Sequence, residues 1–355
     1  MIILNTSNVH LYLIKNELIA PEDVVAGNYS CSFIPSRNRN YRISCTDQSL
    51  IVKQIRQQDV EKVESIQVES HVYKWFGQVD ALKHIGHFVP GFKHYDQTSR
   101  VLVLEYLDGY KDLDTYYNRY LKFPENTGGE IATILFHLHQ DSRHYLTREV
   151  AGHYLRNRKP WIFHIAKVDP ENYTADSPAG KELIRLIQSQ SVFVSHINQL
   201  KSEYRFNTLI HGDIKWVNFL VKWDEGGESM KLIDWEMADY GDPLWDIGGF
   251  FQSYISKWAF KNTQKDSPES LAELKSMQGI IDDFWHTYST FQGYSPTEKS
   301  ANYYLAFRFG AMRMIQTCLE ATKGRDKIDV ELVRILQLCF NVMDKPVETV
   351  NLLMS

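Results

Sequence analysis

Two carboxylates and a carboxamide stand in a spacing that suits phosphoryl transfer. The segment LIHGDIKWVNFLV, residues 209–221, places Asp213 five positions before Asn218. Downstream, in KLIDWE, Asp234 closes a short apolar run. A triphosphate must be screened by a divalent cation, and Mg²⁺ takes oxygen ligands in an octahedral set. One Asp and one Asn can hold that ion while phosphate oxygens and water complete its shell. A separate carboxylate must orient the attacking hydroxyl and accept its proton. The pattern therefore offers Asp213 as the base, with Asn218 and Asp234 as metal ligands. Lys215, two positions past the base, could reach the γ-phosphate and stabilise charge as the bond breaks. His211 is expected to hydrogen-bond within the loop as scaffold. An Asp or Asn in a loop is ordinarily a turn former, so the joint pattern carries this reading rather than any one residue.

The elements that must position these groups fall into two kinds. Residues 29–36, 40–46, 49–55 and 101–107 combine β-branched and aromatic residues over short stretches and predict strands. Between the third and fourth, residues 59–76 carry Val68, Val72, Trp75 and Phe76 at helical spacing. Past Gly109 the pattern becomes helical. Thr127 and Glu130 form a candidate capping box for a helix through GGEIATILFHLHQ. One helix is expected over residues 179–204 and another from Ser300 to Lys323. The exception is NFLVKW and MKLIDW, two strand-like pieces around a Gly-Gly turn at 226–227, which would bring Asn218 and Asp234 to neighbouring positions. The expected class is α+β, with a small β-rich N-terminal lobe and a larger α-helical C-terminal lobe, divided at 107/108. A hinge is expected near residues 105–109.

The composition narrows the function classes. The chain has 355 residues, 43% hydrophobic and 23% charged, which is ordinary for a globular protein. A net charge of −5 and the lack of a long Lys/Arg run argue against nucleic acid as partner. Cys31, Cys45, Cys318 and Cys339 show neither CxxC pairing nor metal-like spacing and are expected to be reduced. The N-terminus makes a poor signal peptide and no apolar run is long enough to cross a bilayer, so no membrane partner and a cytoplasmic location are the expectations.

HGDIKWVN followed by LIDWEMADYGDPLWDIGGF resembles the aminoglycoside phosphotransferase and choline kinase group of the protein-kinase-like superfamily. Asp234-Trp235-Glu236 matches that group's form of the metal-binding segment, and Asp246 falls where an Asp ties the catalytic loop into the large lobe. The resemblance implies a bilobal kinase-like fold and transfer from ATP or GTP with Mg²⁺. It implies that Lys53 contacts the α- and β-phosphates, with Glu69 as its partner on the inserted helix, although Glu64 and Glu61 compete for that place. VLVLEYLDG resembles the nucleotide hinge. There Leu104 would be the gatekeeper, while the Glu105 carbonyl and the Leu107 N–H would pair with the purine.

Two departures bear on these implications. The phosphate loop, residues 34–44, has no glycine, and Ser36, Arg37 and Asn38 occupy it, with Asn tolerant of positive φ. Ser36 and Asn38 are the expected nucleotide contacts there; Arg37 is either a phosphate contact or a solvated charge. Second, many small-molecule kinases of this group carry His where Lys215 stands, and serine/threonine protein kinases carry Lys. The acceptor is therefore open between a hydroxyl-bearing small molecule and a peptide, and a non-catalytic binding module is the third reading. Aromatic residues of the last hundred positions, Trp258, Trp285, Tyr288 and Tyr303 among them, could cage a quaternary ammonium, but core packing is the simpler expectation. Asp282, Asp283 and Glu320 could attract an amine or merely be solvated.

Overall fold

The computed structural model describes residues 2–36, 38–55, 60–172, 177–224, 227–261 and 267–355. Arg37, Gly226 and the side chain of Glu61, each singled out above, lie outside the described residues. Along the chain, α1 (Val9–Lys15) and α2 (Pro21–Val25) precede β1 (Ser30–Ile34), β2 (Arg39–Ser44) and β3 (Ser49–Gln54). Then come α3 (Val60–Gln78), α4 (Lys83–Gly86), β4 (Phe92–Asp96), β5 (Val101–Glu105), β6 (Lys111–Asp112) and α5 (Leu113–Tyr120). Helices α6 (Thr127–Tyr145), α7 (Arg148–Tyr154), α8 (Pro178–Ser189) and α9 (Ser191–Glu203) lead to β7 (Thr208–Ile210). The hairpin β8 (Phe219–Asp224) and β9 (Gly227–Leu232) follows, then β10 (Asp239–Gly241). The remainder is helical: α10 (Pro243–Lys261), α11 (Pro268–Phe291), α12 (Pro296–Ala321), α13 (Val330–Asp344) and α14 (Pro346–Leu353).

The chain forms two compact units. The first comprises residues 1–123, 152–155 and 216–238; the hairpin β8–β9 clusters here, although it follows 107/108 in the chain. Its antiparallel sheet runs β1-β2-β3-β5-β4. Alternation on β3 buries Leu50, Val52 and Gln54 on one face. That face packs on Val9, Tyr12 and Leu13 of α1, together with Tyr41, Ile43, Val101 and Val103. The expected strands and the inserted helix are present. Strand β4 and helix α1 were not expected. FKHYD has too many polar residues to stand out as a strand, and the short α1 presents only three core residues.

The second unit comprises residues 124–151, 156–215 and 239–355 and is α-helical apart from the two-stranded β7–β10 ladder. Two expectations are corrected here, and one, the core packing of the C-terminal aromatics, is met. The Thr127–Glu130 capping box does not form: Asn126 occupies the cap position in the left-handed region, and the Thr127 hydroxyl instead donates to the Pro124 carbonyl at 2.8 Å. The helix expected over 179–204 is two helices broken at Gln190. Its buried stripe runs Leu183, Ile184, Ile187 and resumes at Phe193, Ile197, Leu200. A six-residue step between stripes would turn the second one off the core in a continuous helix. Finally, the C-terminal aromatics are core: Phe250 stacks on Phe284 with centroids 4.2 Å apart, and Tyr303 packs against Trp285 at 5.4 Å. Tyr288 is fully buried, and the Trp258 indole N–H bonds Ser270.

Candidate active site

In the first unit, a lysine on β3 meets a glutamate on α3. The alternation that turns Leu50 and Val52 into the core aims Lys53 the other way, toward the α3 residue Glu69. Lys53 Nζ lies 2.6 Å from Glu69 Oε1 and 3.3 Å from Asp234 Oδ1. Burial alone would lower the Lys53 pKa, but the Glu69 and Asp234 carboxylates beside it hold the ammonium well above its ordinary value. The cation is therefore fixed, as a phosphate-binding lysine requires.

Asp234 follows β9 with φ 71° and ψ 60°, in the left-handed region. A non-glycine residue pays strain there, typically of order 1–3 kcal/mol, and holds it only where surroundings dictate. The register supplies those surroundings. Phe219 pairs with Leu232, and the Ile233 N–H donates to the Asn218 carbonyl at 2.9 Å. Asn218 and Asp234 are thus brought to one end of the hairpin. Asn218 is 2% exposed, whereas the Asp234 side chain is one-third exposed. Two hard oxygen donors, one of them anionic, suit Mg²⁺ better than a soft metal.

A cavity of about 360 Å³ adjoins Lys53, with Ile51, Leu104, Leu220 and Ile233 among its walls and Glu105–Leu107 along one edge. At that edge the Tyr106 N–H donates to the Ser49 carbonyl at 2.9 Å and the Glu105 N–H to the Gly91 carbonyl at 2.8 Å. The Leu107 N–H meets no backbone acceptor among the described residues. An apolar slot with a backbone edge at one side and a fixed cation beside it can take a flat base carrying a phosphate tail. In the β1–β2 turn, Ser36 Oγ donates to the Asn38 carbonyl at 2.8 Å and accepts from the Asn38 N–H at 3.1 Å. This hydroxyl bridge ties Ser36 to Asn38.

In the second unit, Asp213 and Lys215 follow β7. Asp246, in the first turn of α10, accepts from the His211 N–H at 2.7 Å and the Gly212 N–H at 2.9 Å. Gly212 has φ +79°, a turn that glycine makes without strain. His211 is fully buried, and its Nδ1 accepts from the Asp213 N–H at 3.3 Å. Behind Asp246, His139 Nε2 lies 3.3 Å from its Oδ2, and His139 Nδ1 lies 2.8 Å from the Tyr288 hydroxyl. Burial lowers the His139 pKa, so a neutral imidazole backs the loop.

Both oxygens of Asp213 are engaged by cations. Lys215 Nζ lies 2.6 Å from Oδ2, and Arg313 Nη2, from α12, lies 2.7 Å from Oδ1. Burial would raise the Asp213 pKa, but the guanidinium and the ammonium outweigh it and hold the carboxyl well below the usual range. Arg313 escaped the sequence reading. It lies 100 residues from Asp213, and an arginine inside a long helix carries no local signal. The one available hint was Gly310, a turn earlier on α12. A Cβ there would lie 2.9 Å from the Gly248 carbonyl of α10, so the two helices cross at van der Waals contact. That crossing sets Arg313 against the loop that Asp246 holds.

The profile of a family described as "Phosphotransferase enzyme family" matches residues 31–277. Choline kinase from Cryptosporidium parvum Iowa II is 14% identical, with a TM-score of 0.56 over 98% of this chain and 97% of that one. Choline kinase LicA from Streptococcus pneumoniae is 17% identical, with a TM-score of 0.51 over 94% and 99% of the two chains. A thermostable mutant of aminoglycoside phosphotransferase APH(4)-Ia, solved with ADP and hygromycin B, is 14% identical, with a TM-score of 0.52 over 96% and 98%. These likenesses show the kinase-like α+β fold. Among curated sequences, acyl-CoA dehydrogenase family member 10 of Mus musculus is 28% identical over 104 residues, 29% of this chain. The chain spans 9% of that relative's length.

Proposed function

This chain belongs to the phosphotransferase enzyme family, and from that premise we propose that it is a kinase moving the γ-phosphoryl group of ATP or GTP to a hydroxyl of a small molecule. The observation that carries this reading is the Lys53–Glu69–Asp234 cluster beside the apolar cavity, with Lys53 at 2.6 Å and 3.3 Å from the two carboxylates. A binding module has no need to fix a buried lysine, strain an aspartate and also anchor a separate carboxylate between two cations.

Each residue takes a role in this proposal. The base would lie against Ile51, Leu104 and Leu220 and pair with the Glu105 carbonyl and the Leu107 N–H. Lys53, oriented by Glu69, would bind the α- and β-phosphates, and the turn of Ser36 and Asn38 would border the phosphate tail. Asn218 and Asp234 would hold Mg²⁺, which neutralises charge on the phosphate oxygens. Asp213 would orient the acceptor hydroxyl and take its proton, while Lys215 would turn to the γ-phosphate. Functionally, residues 1–107 would serve the nucleotide and 108–355 would supply the catalytic loop, metal ligands and acceptor surface. A carboxyl held this low is ionised at neutral pH and suited to accept a hydrogen bond from the acceptor hydroxyl and orient it, with only weak basicity for the proton.

The test is release of ADP from ATP and Mg²⁺ across a library of hydroxyl-bearing small molecules and Ser-containing peptides. The wild type should turn over with at least one small molecule, and Lys53→Met should lose that turnover. Turnover with peptides alone, or turnover untouched in Lys53→Met, would overthrow the proposal.

A further inference from the structure

The arginine that grips Asp213 also has spare donors, and these bear on what the acceptor is. A guanidinium offers five N–H groups. Arg313 spends Nη2 on Asp213 Oδ1 at 2.7 Å. Nη1 reaches Gln316 Oε1 only at 3.5 Å, the outer limit of a hydrogen bond. Its remaining donors meet no other acceptor among the described residues. The Arg313 side chain is 10% exposed and its guanidinium carbon sits 5.6 Å from the Trp245 ring centroid, so it is held in place and largely desolvated. A fixed guanidinium with unused donors is a built receptor for a carboxylate or a phosphate group.

The charge balance points the same way. Two cations, Arg313 and Lys215, contact the Asp213 carboxylate directly, while the Asp246 carboxylate is turned to the His211 and Gly212 N–H groups. An ammonium brought beside the reacting hydroxyl would face like charge. Two of the three acids that could favour an amine, Asp283 and Glu320, have other partners. Asp283 Oδ2 accepts from the Gly129 N–H at 2.8 Å, near the start of α6. Glu320 accepts from Gln316 Nε2 at 3.0 Å, on the far side of that amide from Arg313. The aromatic residues that could cage a quaternary ammonium pack on one another in the core.

We propose that the phosphoryl acceptor is a hydroxy compound bearing an anionic group, a carboxylate or a phosphate, and that Arg313 binds that group while keeping its hold on Asp213. This rests on the kinase reading above. Arg313 is then a specificity-determining residue: one end of its guanidinium places the base and the other selects the substrate.

Thermal shift with ATP and Mg²⁺ first tests the kinase reading on its own, because an absent shift would overturn that reading rather than this one. ADP release is then compared for glycerate, 3-hydroxybutyrate and glycerol 3-phosphate against glycerol, ethanolamine, choline and kanamycin. The inference expects the highest kcat/KM with an anionic member. In Arg313→Gln, the KM for that acceptor should rise about tenfold or more while the KM for ATP stays within about twofold. Arg313→Lys should recover part of the loss, since it restores the charge without the fork. A neutral or cationic acceptor turned over best, ATP binding with no anionic member turned over, or an unchanged acceptor KM in Arg313→Gln would each overturn it.

Discussion

At the scale of single residues, the account turns on the protonation state of Asp213. Its pKa is held down by Arg313 and Lys215 against the opposing effect of burial. A carboxyl depressed in the folded state contributes stability that is present above its unfolded pKa. That contribution is lost as pH falls below about 4 and through the lower folded value. The same sign governs the chemistry, because the carboxylate is the active form of a base. Arg313→Gln removes one of the two cations and lets the pKa climb toward the ordinary range. The acid limb of the kcat/KM profile should therefore move to higher pH in that variant, measured on the acceptor with the highest wild-type rate. A limb that stays in place would show that Arg313 does not tune the base. Asp213, Asn218 and Asp234 stood out in the sequence as the proposed site because their spacing is itself the chemical pattern. Arg313 did not, since a contact across 100 residues leaves no mark in either neighbourhood.

At the scale of elements, the Asp213 loop is placed by a helix crossing. Helix α10 carries Asp246, which takes two backbone N–H groups of the loop, and α12 carries Arg313. The helices approach through Gly248 and Gly310. A Cβ on Gly248 would lie 2.6 Å from the Gly310 nitrogen and 2.7 Å from the Ala306 carbonyl oxygen. Backbone cannot yield as a flexible side chain does, so Gly248→Ala must push the helices apart. Overpacking of this kind costs about 1–3 kcal/mol, read as a lower urea midpoint, and should also lower kcat by withdrawing Arg313 from Asp213. Gly279→Ala, where a Cβ meets nothing within 4 Å, is the matched control: it should leave kcat unchanged and, as Ala for Gly inside a helix, raise stability by up to about 1 kcal/mol, read as a higher midpoint. Strands with strong alternation were legible, and so was the α3 stripe that presents Glu69. The break at Gln190 was written in the six-residue phase slip between stripes, yet no proline or glycine announced it. The cap of α6 was misread because Thr127 and Glu130 satisfied a pattern whose hydroxyl is committed to Pro124. A true capping box, Ser295 with Glu298, opens α12.

At the scale of the whole molecule, the residues of the proposed chemistry are divided between the two units. Lys53, Glu69, Asn218 and Asp234 belong to the first; Asp213, Lys215, Asp246 and Arg313 belong to the second. All four thiols are free, as the scattered cysteines suggested, and no described helix is long and apolar enough to cross a membrane. The α+β kinase-like class was legible because strand and helix periodicities separate along the chain. That residues 216–238 cluster with the β-rich unit was not, since the hairpin is flanked by helices on both sides in sequence. The division predicts that nucleotide binding and phosphoryl transfer can be lost separately. The most direct test measures the melting temperature of the wild type, Asp213→Asn and Asp234→Asn with and without saturating ATP and Mg²⁺, alongside ADP release. A ligand at a hundred times its Kd stabilises by about 2.7 kcal/mol, a shift of several degrees. Wild type and Asp213→Asn should both show that shift, Asp234→Asn should lose most of it, and only the wild type should release ADP in the presence of acceptor. Equal shifts in all three proteins, or wild-type turnover by Asp213→Asn, would contradict the account.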